Sequence, residues 1–267
     1  MLFRSILNKI QKNFDNQKQI LVKNSLSFLT NISKIFRKNI DTKIIAITGS
    51  CGKTTLKELL GNSLKKISKV TISPKSFNNK YGVPLSLFNL SQNDNFGVLE
   101  VGMDKKGEID YLSKIIQPDV SVITNINYAH AKNFKNIKEI ALAKSEIIDN
   151  TKSSGSVVLN ADDDFFELHK AKALNKKLKV ISFGIKNKKS DIKFIKIKKS
   201  KKFYEIIVKQ NNLKISFFTQ NEFRNNIYNI LSALSVMSFF IDISSLKKNI
   251  FLNFKIPDGR GDISTLN

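Results

Sequence analysis

Apolar and polar positions change rhythm along this chain. In residues 1 to about 42, Leu2/Phe3, Ile6/Leu7, Ile10 and Phe14 recur at helical spacing, as do Leu26, Leu29, Ile32 and Phe36. This spacing predicts one or two basic amphipathic helices, for which packing on the following domain is favoured over lying on a membrane surface. From Lys43 onward, short β-rich runs alternate with helix-period segments: KIIAIT, KVTI, FGVLEV, VSVIT, SVVLN and KVISF. Such alternation predicts an α/β fold, a mostly parallel sheet with helices on both faces. After Ser190, the runs DIKFIKI, FYEIIVK and LKISFF have no helices between them and predict a small antiparallel meander, followed by a helix from about Asn225 to Phe240. The expected organisation is a helical leader (1–42), a central α/β domain (43–255) and the start of a link to a further domain (256–267).

Composition narrows the classes. With 267 residues, 41% of them apolar, the chain can bury a sizeable core, and its single cysteine excludes a disulfide framework or a multi-cysteine zinc module. The most apolar late stretch, Leu231 to Ile243, is broken by Ser232, Ser235, Ser238 and Asp242, and the amino terminus lacks a signal-peptide pattern. A cytoplasmic location is expected. The formal charge of +23 attracts polyanions in general, yet only four of the 45 basic residues are arginines (Arg4, Arg37, Arg224, Arg260). Groove readers rely on the guanidinium fork, so nucleic acid is not the expected partner. The densest lysine run, Lys193 to Lys202, alternates with Phe194, Ile195 and Ile197 and reads as a solvated hairpin.

The strongest local signal is IIAITGSCGKTTLKELLGNSLKK, residues 44 to 66. A β run leads into Gly49, Ser50, Cys51, Gly52, Lys53, Thr54 and Thr55, and Leu56, Leu59, Leu60 and Leu64 then give a helix face. Glycines let backbone N–H groups approach an anion, a helix amino terminus adds its dipole, Lys53 neutralises phosphate, and the Thr54 hydroxyl can meet Mg²⁺. The common G-x-x-x-x-G-K-[ST] spacing would place a glycine at Ile47, which this chain lacks. Cys51 reads as a small filler, since no histidine is near it in sequence. Glu100 ends the run FGVLEVG, and VSVITNINYAH continues to His130, so a carboxylate and an imidazole can converge at the carboxyl edge of the sheet as a metal pair. Lys144, on ALAKSEII, reads unaided as solvated.

These residues carry a family resemblance. The chain resembles the central ATP-binding domain of the Mur ligases, the ATP-dependent amide-bond ligases of peptidoglycan synthesis. T-G-S-x-G-K-T-[ST]-x-K-E appears as Thr48 to Glu58, a shorter loop form that accounts for Ile47. Further matches follow in order: Asn78, Asn79, Gly82, Val83, Pro84; Glu100, Gly102, Gly107, Glu108, Ile109; Pro118 to His130; and Ala143 to Ile147. The G-x-x-x-x-G-E-I form is typical of the branch that adds D-alanyl-D-alanine to a UDP-N-acetylmuramoyl (UDP-MurNAc) peptide.

The resemblance implies roles. Lys53 and the loop amides hold ATP phosphates, Thr54 and Glu100 bind one Mg²⁺, and His130 contributes to a second. Lys144 matches a lysine that several members carbamylate into a metal ligand. Asn226 and Asn229 match asparagines near the adenine, Arg260 in PDGRGDI is a candidate phosphate contact, and Asn78 and Asn79 are candidate substrate contacts. The family also has an amino-terminal domain for the UDP-sugar and a carboxy-terminal domain that closes over ATP. Neither is complete in these 267 residues, so a fragment, a split form or domains supplied by another chain is expected. The alternatives are a folylpolyglutamate-type ligase and a non-catalytic nucleotide-binding protein.

Overall fold

A computed structural model of the chain describes residues 5–7, 9, 12, 19–128 and 133–257. The leader differs in part from its helical expectation. Ser5–Leu7 is a short strand (β1) paired in parallel with Gln19–Leu21 (β2), with Ile6 opposite Ile20. Three residues carry too little periodicity to separate strand from helix, and Leu2, Phe3, Ile10 and Phe14 of the expected helix lie outside the described residues. The second expected helix is present as Ser25–Lys38 (α1), and Asn24 caps it by accepting from the Ser27 amide at 2.9 Å.

α1 is keyed into the domain that follows. Arg37, 3% exposed, donates to the carbonyls of Ile116, Gln117, Thr42 and Ile40 and to Asp119 at 2.9 Å. Burial pulls the Arg37 pKa down, while Asp119 opposes that shift. Asp119 also accepts the Ile44 amide at 2.9 Å, so one buried ion pair ties helix to sheet.

All six predicted β runs form strands: β3 (Lys43–Thr48), β4 (Val70–Ile72), β5 (Phe96–Glu100), β6 (Val120–Ile123), β7 (Ser156–Asn160) and β8 (Lys179–Gly184). The meander is β9 (Ile192–Lys199), β10 (Tyr204–Gln210) and β11 (Leu213–Thr219). It joins the main sheet, because β9 pairs in parallel with β8 through Phe183 and Ile192. The result is one nine-stranded sheet, ordered β11-β10-β9-β8-β7-β6-β3-β5-β4, antiparallel only within the meander.

Side chains alternate across each strand, so β3 serves two cores at once. Ile45 and Ile47 face α2 (Lys53–Leu64) and α8 (Arg224–Phe240), packing with Leu56, Leu60, Ile230 and Leu234. Ile44 and Ala46 face the opposite layer, built from α3 (Gly82–Phe88), α4 (Glu108–Ile116), α5 (Ile137–Lys144), α6 (Glu146–Asp149) and α7 (Phe166–Asn175). Helices on both faces leave the carboxyl ends of β3, β5, β6 and β7 as the open edge, where α/β sheets of this kind place ligands. Among the described residues, no helix is long and apolar enough to cross a membrane.

Candidate functional site

The loop between β3 and α2 has a backbone that glycine alone fits. Gly49 adopts φ +142°, and a Cβ there would lie 1.9 Å from Thr124 Oγ1. Gly52, at φ +81°, is the left-handed residue that starts α2, and no side chain caps that helix. An amino end started by glycine, with the helix dipole behind it, suits an anion. The segment after β6 clamps the loop. Asn125 accepts the Ser50 amide on its carbonyl (2.9 Å) and the Cys51 amide on Oδ1 (3.0 Å), while Thr124 Oγ1 donates to the Cys51 carbonyl at 2.7 Å. Ser50 and Cys51 thus line the cleft with their amides already engaged, and Gly52, Lys53, Thr54 and Thr55 complete its wall. Lys53 Nζ donates to the Gly49 carbonyl at 3.0 Å.

Thr54 and Glu100 meet as expected. Thr54 Oγ1 donates to Glu100 Oε2 at 2.8 Å, and Asn78 Nδ2 donates to Glu100 Oε1 at 2.8 Å. Gly102 makes room for this, since a Cβ there would sit 2.9 Å from the Asn78 amide carbon. Asn79 is placed differently, with its Oδ1 accepting the Tyr81 and Gly82 amides to form the turn into α3. A hydroxyl and a carboxylate this close are hard oxygen donors that fit Mg²⁺, an ion that completes its octahedron with water and phosphate. Among the described residues no group of three or more His, Cys, Asp or Glu could hold a metal by itself.

Lys144 is buried, at 2% exposure, contrary to its solvated reading. Burial, with the nearby Lys53 adding to it and Cys51 opposing, lowers its pKa to about 7. Residues flanking it are tied to α7: His169 hydrogen-bonds the Ala141 carbonyl at 3.1 Å, and Lys172 donates to Ser145 Oγ at 3.1 Å. Two residues on, Glu146 accepts the Gly107 and Asp110 amides and so caps α4, joining two of the sequence motifs. His130 and Arg260 lie outside the described residues.

A cleft of about 1020 Å³ runs from the loop to the amino end of α8, a size that suits a nucleotide. Asn226 and Asn229 both line it. Asn226 Nδ2 donates to Thr219 Oγ1 at 3.1 Å, which leaves its Oδ1 as a buried acceptor without a partner among the described residues. An exocyclic amine such as that of adenine would satisfy it. Asn229 approaches the loop closely enough that a Cβ on Gly52 would be 3.4 Å from its Oδ1.

Asn125, Asn127, Asp162, Asp163 and Tyr228 also line the cleft; sequence reasoning quoted the first two within a motif without a role and missed the other three. Asp163 accepts the Ile126 amide at 2.7 Å. Burial pushes the Asp162 carboxyl up, but the amides of Ile185, Lys186 and Asn187 and the Tyr228 hydroxyl outweigh it and hold it below the usual carboxylate range. The available signal was NADDD, a polar run at the end of β7 on the same sheet edge.

A nine-stranded α/β sheet with a phosphate loop facing a Thr–Glu–Asn cluster defines a nucleotide-dependent class. The Mur ligase middle domain matches residues 47–237, well over half of the chain, and the protein belongs to that family. Among its relatives, the UDP-N-acetylmuramoyl-tripeptide–D-alanyl-D-alanine ligase of Borreliella burgdorferi is 31% identical over 250 residues, 93% of this chain and 52% of that protein. The ligase of the same name from Buchnera aphidicola is 40% identical over 170 residues, 64% of this chain and 37% of that protein. MurF of Acinetobacter baumannii superposes with a TM-score of 0.79 at 28% identity, covering 89% of this chain and 51% of that one. MurF ligase of Thermotoga maritima, solved in complex with ADP, gives 0.77 at 27% identity, covering 92% of this chain and 57% of that one. The chain spans about half the length of several of these relatives.

Proposed function

We propose that this chain carries the ATP-handling part of an amide-bond ligase that joins D-alanyl-D-alanine to UDP-MurNAc-tripeptide in cytoplasmic peptidoglycan precursor synthesis. The observation that carries this reading is the convergence of Thr54, Glu100 and Asn78 beside an uncapped helix start, in a chain whose relatives bear that ligase's name.

The amides of the α2 first turn receive the phosphates, and Lys53 neutralises them once it exchanges loop carbonyls for phosphate oxygens. Thr54 and Glu100 would hold Mg²⁺, which when bound would supply charge neutralisation to the phosphates. Asn226 fixes the base end. The peptide carboxylate attacks the γ-phosphorus, ADP leaves, and an acyl phosphate forms. The amine of D-alanyl-D-alanine then attacks the activated carbonyl and inorganic phosphate departs, so catalysis rests on positioning and charge stabilisation. His130 and Arg260 keep the roles the resemblance gives them, a second metal ligand and a phosphate contact. With a pKa of about 7, Lys144 exists largely as neutral amine in a mildly alkaline cytoplasm, the form that adds CO₂ to become a carbamate.

The test supplies ATP, Mg²⁺, UDP-MurNAc-tripeptide and D-alanyl-D-alanine to the chain, alone and with the remaining domains of a relative as separate chains. The expectation is nucleotide binding without amide product for the chain alone, and amide product with stoichiometric ADP when the domains are restored. ADP release indifferent to both substrates in the restored mixture would overturn the proposal.

A further inference from the structure

The motif that runs from Thr48 to Glu58 contains a second lysine, Lys57, with no part in phosphate binding. Its side chain is 0% exposed, yet its ammonium is partnered by two carbonyls and a carboxylate. Nζ donates to the Ser73 carbonyl at 2.7 Å and to the Lys75 carbonyl, and it pairs with Glu58 at 3.2 Å.

The two carbonyls belong to the stretch that follows β4 and leads directly to Asn78. Within it Lys75 adopts φ +41°, a left-handed conformation rare for a residue with a side chain, and burying its carbonyl on Lys57 helps hold it there. Ser73 accepts the Glu100 amide on its Oγ at 3.3 Å, so the same stretch touches Glu100 at its backbone. Asn78 then reaches the carboxylate, donating to Oε1, while Thr54 holds Oε2. Thr54 and Lys57 lie three residues apart and share one face of α2. The contacts close a ring: Thr54 to Glu100, Glu100 to Asn78, Asn78 through the stretch 73–77 to Lys57, and Lys57 back along α2.

We propose that Lys57 is a positioning residue for the metal carboxylate, anchoring the segment that delivers Asn78 and so fixing how Glu100 presents its oxygens. This rests on the reading of Thr54 and Glu100 as the Mg²⁺ pair. Lys57 lies outside the cleft lining, so phosphate binding by the loop does not depend on it.

The experiment measures ADP affinity by calorimetry without metal, then Mg²⁺ affinity at saturating ADP, for the wild type, Lys57→Met and Lys57→Gln. Amide hydrogen exchange of residues 73–79 is followed in parallel. Removal of a group that orients a metal ligand typically weakens the metal by about 10- to 100-fold, so Lys57→Met should lose that much Mg²⁺ affinity while metal-free ADP affinity stays within about two-fold. Lys57→Gln, which keeps one donor group, should fall between, and exchange should rise across 73–79 in the same order. If Lys57→Met does not fold, Lys57→Gln decides on the same readouts. Unchanged Mg²⁺ affinity with faster exchange would make Lys57 a fold-stabilising residue only and overturn the proposal. A wild type that binds ADP with no dependence on Mg²⁺ would instead remove the metal-pair reading, and the proposal with it.

Discussion

Lys144 offers a sharp physical test, because its environment gives stability a pH dependence of known sign. In the folded chain burial lowers its pKa to about 7 from an ordinary 10.5, with Lys53 adding to the shift. Between those values the unfolded chain holds a proton that the folded chain lacks, so folding stability rises with pH through this window. Below about pH 7 both states are protonated and the full cost of burying the ammonium remains. Integrating one proton between pH 7.5 and 9.5 with these two pKa values gives about 2–3 kcal/mol. Lys144→Met has similar length and no charge, so it should be more stable than the wild type at pH 7 and lose this dependence. Urea unfolding at pH 6.5, 7.5, 8.5 and 9.5 in CO₂-free buffer measures both proteins, and groups common to the two cancel in the difference. Adding bicarbonate should stabilise the wild type alone, since a carbamate forms only where the amine is neutral. Parallel stability curves for the two proteins would show that the ammonium is solvated and would refute the reasoning.

Three further outcomes follow from other parts of the structure. Gly49→Ala should disrupt the phosphate loop, because its backbone and the 1.9 Å approach to Thr124 Oγ1 exclude a methyl; a strain of about 1–3 kcal/mol and loss of nucleotide binding should appear in paired unfolding and titration experiments. Arg37→Met takes the donor from four carbonyls and leaves the buried Asp119 to Lys152 and the more distant Lys43, and should cost about 3–5 kcal/mol in urea unfolding; a loss under about 1 kcal/mol would contradict the keying of α1 to the sheet. Asn226→Ala should weaken ATP by about 1–3 kcal/mol and narrow the preference for ATP over GTP in a competition titration, since the guanine O6 cannot donate to an acceptor.

Much of the strand layout was legible because buried parallel strands are continuous apolar runs, and each of the six runs from KIIAIT to KVISF became one. The glycine-lysine loop and its meeting with Glu100 were legible for the same reason: a strand end is a fixed place in an α/β sheet. Other features depended on three-dimensional neighbours. Lys144 and Lys57 look like solvated helix lysines in sequence, and only three-dimensional packing buries them, that of α2 against the 73–75 stretch in the case of Lys57. Asn125 was quoted within a motif, but its grip on the loop comes from the adjacency of β3 and β6, which sequence order does not reveal. Ser5–Leu7 was misread because three residues carry too little periodicity to separate strand from helix.

The central claim is that the loop at Gly49 to Thr55 is a working Mg-nucleotide site. It is tested most directly by titrating the chain with ATP and Mg²⁺ in a calorimeter, wild type beside Lys53→Ala. The account predicts measurable binding by the wild type and a loss of about 1.5–3 kcal/mol, roughly 10- to 150-fold, when the charged hydrogen bonds to phosphate are removed. Equal affinities for the two proteins would contradict it.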